Sequence, residues 1–125
     1  MAKRKILFVE DDKVLGVTLK EFFELSDYSV TVVENAQLGL EEFLKNEYEI
    51  VITDIMMPGQ MNGVDVVRRI KAYKPNTRIF VCTAYSKNLN SIESVAHHII
   101  KKPFDYAELQ NLIEKDFKNN IEKQK

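Results

Sequence analysis

"VITDIMMPGQMNG", residues 51–63, runs a short apolar stretch into an aspartate, then into paired methionines, a proline and a loop with two glycines. The apolar run bounded by turn residues reads as a buried strand. Taken alone, Asp54 reads as a turn or cap residue, because Asp at strand ends bonds locally to nearby backbone N–H groups. What changes that reading is how the other apolar runs of the chain end.

Four further runs share the strand pattern: "KILFV", "SVTVV", "RIFVC" and "HHIIK". Between them lie segments with apolar residues at helical spacing. "KVLGVTLKEFFEL" carries Leu15, Leu19 and Phe22, and "AQLGLEEFLKN" carries Leu40, Phe43 and Leu44. "GVDVVRRIKAY" carries Val64, Val67 and Ile70, and "YAELQNLIEKDF" carries Leu109, Leu112 and Ile113. The remaining helical slot, "KNLNSIESVA", is short and weakly patterned. Strands alternating with helices imply an α/β fold, a five-stranded parallel sheet doubly wound in the flavodoxin-like manner. Residues 1–118 form one domain in this reading, and residues 119–125 a frayed polar tail.

With 125 residues the chain can bury a core without staples. A formal net charge of −1 gives no basic excess for holding nucleic acid. A single cysteine, Cys82, excludes an internal disulfide and reads equally well as an inert core residue. The basic start "MAKRK" is followed by only four apolar residues before three acids, so neither a signal peptide nor a membrane span is read. A cytoplasmic location is the default.

Ligands in doubly wound sheets bind at the carboxyl ends of the strands. The residues there are Glu10, Asp11 and Asp12 after the first run, Asp54 after the third, Thr83 after the fourth and Lys102–Pro103 after the fifth. Carboxylates converging on one edge repel, and a hard cation with oxygen ligands relieves the repulsion. Mg²⁺ suits such a site, with Mn²⁺ as a substitute. Aspartate is a competent nucleophile toward phosphorus once charge is screened; Lys102 can supply that charge and the Thr83 hydroxyl a hydrogen bond.

These motifs, "ILFVEDD", "VITDIMMPG", "FVCTAYS" and "IIKKPF", in this order, resemble the receiver domain of two-component response regulators, of the chemotaxis-type single-domain form. The resemblance implies that Asp54 accepts a phosphoryl group and that Asp11, assisted by Glu10, holds Mg²⁺ together with Asp54 and the backbone carbonyl of Met56. It puts Thr83 and Lys102 at the switch and counter-ion positions and implies a cis bond before Pro103. The side chains of Met56 and Tyr85 would flank the path of the water that removes the phosphoryl group. The implied partners are a sensor histidine kinase or a histidine phosphotransfer protein, with an unidentified protein downstream. In this reading the domain is no enzyme beyond its own phosphorylation and dephosphorylation. The alternative is a receiver-fold adaptor that works without phosphorylation.

Asp12, one place beyond the acidic pair, reads as the N-cap of the first helix. Adjacent His97 and His98 read as structural or surface residues, since neighbouring strand positions face opposite sides. Three features depart from the resemblance: Gln60 lengthens the loop after Asp54, the segment from Thr83 to Lys102 is short, and Ile99 stands where many members carry an aromatic residue. Rival chemistries lack their signatures. A phosphatase of the haloacid dehalogenase type needs D-x-D where this chain has Glu10-Asp11-Asp12, and flavin or nucleotide sites need a hydroxyl- or glycine-rich loop there.

Overall fold

A computed structural model describes residues 3–55, 63–84 and 96–123, the last four by backbone alone. Its five strands are β1 (Arg4–Val9), β2 (Tyr28–Val33), β3 (Ile50–Thr53), β4 (Arg78–Thr83) and β5 (His98–Lys101). They form one parallel sheet in the order β2-β1-β3-β4-β5. Four helices are described: α1 (Lys13–Glu24), α2 (Ala36–Lys45), α3 (Gly63–Tyr73) and α4 (Tyr106–Lys123). The doubly wound fold read from the sequence is the one observed. The weakly patterned slot at 87–96 falls almost wholly outside the described residues.

Alternation along the strands splits the core into two layers. Leu7, Val9, Val51, Ile79 and Val81 face α2 and α3, where Leu40, Phe43, Val66, Val67 and Ile70 cover them. Ile6, Phe8, Ile50, Ile52, Phe80 and Cys82 face α1 and α4, under Leu19, Phe23, Leu109 and Ile113. Two residues read onto helix faces, Phe22 and Leu44, are less buried than expected. Phe23 is fully buried while its neighbour Phe22 is only half-buried, packed beside Tyr106 with ring centroids 5.6 Å apart. Leu44 is about half exposed. A stripe about 100° wide admits either neighbour, and packing against the sheet decides between them. The tail expected from residue 119 is helical as far as Lys123.

The histidine pair is split across the sheet as the alternation requires. His97 accepts the Ile79 N–H on Nδ1 at 2.9 Å, with Lys71 Nζ 3.3 Å from Nε2. His98 stacks on Phe80 at 5.1 Å and meets Asp116 at 3.1 Å. Burial, with Arg78 and Lys71 nearby, pushes His97 down to about 4, so it is neutral at neutral pH. Asp116 is buried and accepts two bonds from Arg78, at 2.5 and 2.6 Å, which tie α4 to the start of β4.

Burial acts to raise the Asp116 carboxyl, but the bonds from Arg78 and His98 prevail and hold it below its ordinary range. A carboxyl lowered in this way adds stability above its unfolded value, near 3.9, and loses it as pH falls through the folded value. Asp116→Asn is therefore expected to cost about 2 kcal/mol at neutral pH. Urea midpoints of variant and wild type should converge as pH falls below about 4. A gap that stays the same at acid pH contradicts the assignment.

Among the described residues no helix is long and apolar enough to cross a membrane.

Candidate functional site

Buried Glu10, Thr53, Asp54 and Thr83 lie where β1, β3 and β4 end, and half-buried Lys102 follows β5. Glu10 follows β1, donates its backbone N–H to Val33 O at 2.9 Å and is 2% exposed. Its Oε2 accepts the Asp12 N–H at 3.1 Å, which turns the chain toward α1. Asp11, between them, is exposed. Asp12 is the N-cap, its Oδ1 accepting the Leu15 N–H at 3.1 Å, as its place before the helical pattern predicts.

Asp54 follows β3 and donates its own N–H to Val9 O at 3.1 Å. Its Oδ1 accepts the Ile55 N–H at 2.6 Å, and its Oδ2 faces Lys102 Nζ at 2.8 Å. Lys102 also bonds Glu10 Oε1, so one ammonium joins the ends of β1 and β3. Its backbone N–H reaches Thr83 O at 2.9 Å, its bond to Pro103 is cis, and Thr83 is fully buried at the end of β4. Opposing effects act on the pair. Burial raises the Glu10 carboxyl above its ordinary range against the pull of Lys102. Burial also works against the charge on Lys102, but its bonds to Asp54 and Glu10 prevail and raise its pKa.

Carboxylate oxygens of Glu10, Asp11 and Asp54 lie within 4.8 Å of one another, the only such group of metal-ligating side chains among the described residues. Three hard oxygen donors fit a hard divalent cation and poorly fit a soft one. Cys82, one layer away, is buried with its thiol raised to about 12, so it is a core residue and no nucleophile. Met56, Gln60 and Tyr85 lie outside the described residues. Ile99 is half-buried against the α2–α3 layer.

The structure adds one feature the sequence reading passed over. Gly63, which begins α3, packs flush on the end of β3: a Cβ there would lie 2.0 Å from Asp54 O. Its N–H bonds Ile55 O at 3.1 Å, closing the loop that leaves the strand.

Comparison with known proteins decides the family, with a match to the response regulator receiver domain over residues 6–114. The chain belongs to that family. Sporulation initiation phosphotransferase F of Bacillus subtilis is 29% identical to this receiver domain over 123 residues, covering 92% of this chain and 94% of the other. A crystal structure of the response regulator TrrA from Thermotoga maritima, in complex with Mg²⁺-BeF, is 32% identical, with a TM-score of 0.81 over 90% of this chain and 97% of that one. A cyclic di-GMP phosphodiesterase of Thermotoga maritima is 32% identical over 119 residues, which are 93% of this chain but 32% of that protein. The receiver domain thus spans only part of several relatives, at 32%, 48% and 49% of their lengths.

An early test of the acidic cluster concerns Asp12. Asp12→Ala is expected to cost about 1 kcal/mol of stability through the lost cap while divalent-ion affinity is largely kept. Asp11→Ala should do the reverse, abolishing ion binding and raising the melting temperature in metal-free buffer by relieving repulsion. Melting curves and ion titrations of the two variants check this, and a larger loss of affinity in Asp12→Ala overturns it.

Proposed function

We propose that this receiver domain takes a phosphoryl group onto Asp54 from a phosphohistidine on a sensor kinase or histidine phosphotransfer protein. The observation that carries this reading is the convergence of Glu10, Asp11, Asp54 and Lys102 at one end of the sheet. A carboxylate oxygen of Asp54 forms a bond to phosphorus as the bond to the donor's imidazole breaks, and the imidazole leaves with the electron pair. Catalysis of such a transfer is mostly positioning and charge neutralisation. Lys102 already faces Oδ2 of Asp54, and its charge suits an incoming phosphoryl oxygen. The Thr83 hydroxyl, at the end of the adjacent strand, suits a second phosphoryl oxygen.

Glu10, Asp11 and Asp54, with the backbone carbonyl of Met56, are the residues that would hold Mg²⁺ or, in its place, Mn²⁺. When bound, the ion neutralises negative charge on the phosphoryl group. The TrrA complex with Mg²⁺-BeF supports this choice of ion. The domain catalyses nothing beyond its own phosphorylation and dephosphorylation, acts in the cytoplasm, and passes its signal through contacts with a protein target. Met56 and Tyr85, whose side chains carry no amide or carboxylate, make the phosphorylated state long-lived. A phosphorylation-independent adaptor has no use for two carboxylates and a lysine locked together at the strand ends, and this counts against that alternative.

The test exposes the full chain to a small acyl phosphate with Mg²⁺ and weighs it. The native chain should gain phosphoryl mass, and Asp54→Asn, though folded, none. Full labelling of Asp54→Asn overturns the assignment.

A further inference from the structure

Thr53 closes β3 and is fully buried. Strand alternation places its side chain with Val51 on the side of the sheet covered by α2 and α3. Its register partners on that side are Val9 of β1 and Val81 of β4. Valine has nearly the shape of threonine, so packing alone would be served by a third valine here. What Thr53 adds is a hydroxyl, in a place where a polar group needs a partner.

The hydroxyl donates to the carbonyl oxygen of Asp54 at 2.9 Å. That oxygen belongs to the peptide joining Asp54 to Ile55, and the N–H of the same peptide bonds Oδ1 of Asp54 at 2.6 Å. A peptide is planar, so holding its C=O fixes the direction of its N–H. With Oδ1 committed to that N–H, Oδ2 is the oxygen turned to Lys102 at 2.8 Å. Gly63 lies against the same carbonyl and leaves it room.

We infer that Thr53 is a positioning residue: its hydroxyl holds the Asp54–Ile55 peptide plane, and that plane sets the orientation of the Asp54 carboxylate for phosphoryl transfer. The inference rests on Asp54 being the phosphoacceptor. It also makes the side chain before the acceptor, an ordinary strand residue in sequence, part of what sets the rate.

The initial rate of phosphoryl mass gain, from a small acyl phosphate at saturating Mg²⁺, tests it in the full chain. Thr53→Val should slow the reaction about five-fold, the equivalent of one net hydrogen bond. Thr53→Ser, which keeps the hydroxyl, should stay within about two-fold of the native rate. Should Thr53→Val not fold, Thr53→Ser against Thr53→Ala carries the same comparison, since both lack the methyl and only one keeps the hydroxyl. Thr77→Val serves as a control, because that buried hydroxyl has no partner among the described residues and lies at the opposite end of β4; its rate should match the native chain. The amide shift of Ile55 should move in Thr53→Val and not in Thr53→Ser. A native rate in Thr53→Val, or a Ser variant as slow as the Ala variant, overturns the inference. Asp54→Asn, run alongside, separates the two readings. Labelling of that variant sinks the phosphoacceptor, whereas an unlabelled Asp54→Asn beside a full-rate Thr53→Val sinks only the role of Thr53.

Discussion

Gly63→Val is expected to lose about 4 kcal/mol or more of folding stability. Even the first added carbon, a Cβ, would stand 2.0 Å from Asp54 O and 2.8 Å from both Asp54 C and Ile55 Cα. All three atoms are backbone, so no side chain can swing aside. The helix also cannot simply lift away, since the Gly63 N–H is bonded to Ile55 O at 3.1 Å. Two effects compete in the smaller Gly63→Ala. Helix propensity favours alanine by up to about 1 kcal/mol, and the overlap opposes it by more. The overlap should win, so both variants should unfold at lower urea than the native chain, valine before alanine. Because the displaced atoms carry the Asp54 peptide, whatever fraction folds should also take up phosphoryl groups slowly. An alanine variant as stable as the native chain would show that α3 can shift without cost and would sink the argument.

How much of this was legible in the sequence depends on the range of the interaction. The strands and their carboxyl-terminal residues could be read because each apolar run stops at a charged or hydroxyl residue, and the parallel fold gathers those residues at one edge. The cap at Asp12 was local too, since an N-cap is fixed by its distance from the helix that follows. The clip between Arg78 and Asp116 joins residues 38 apart in sequence, and no pattern in either segment announces it. Gly63 reads as a loop glycine until the fold brings it against Asp54 O. Thr53 is hidden for another reason: a β-branched residue in a strand needs no explanation, and only the position of its hydroxyl supplies one. The sole sequence-level hint was a polar member in an otherwise aliphatic run, "IVIT".

Lys102→Met is expected to have two separable effects. Lys102 keeps most of its side chain out of water and bonds both Glu10 and Asp54, whose side chains are 1% and 11% exposed. Methionine retains much of the length and the apolar stem but withdraws the charge, leaving two sheltered carboxylates beside Asp11 without their common counter-ion. Removing one partner of a buried ion pair costs about 3 kcal/mol, so the variant should melt well below the native chain in metal-free buffer. A divalent ion that binds these same oxygens should then restore more stability to the variant than it adds to the native chain, because it supplies the charge that was lost. Phosphoryl uptake should not recover in step. If Asp54 is the phosphoacceptor proposed above, loss of the cation facing it is expected to slow transfer about a hundred-fold even at saturating Mg²⁺, since an ion and the lysine would neutralise different parts of the same charge. Melting curves with and without Mg²⁺, followed by phosphorylation rates at the same Mg²⁺ concentration, separate the two. If Mg²⁺ restored the rate along with the stability, Lys102 would be a structural counter-ion only, and its place beside Asp54 would have no part in the transfer.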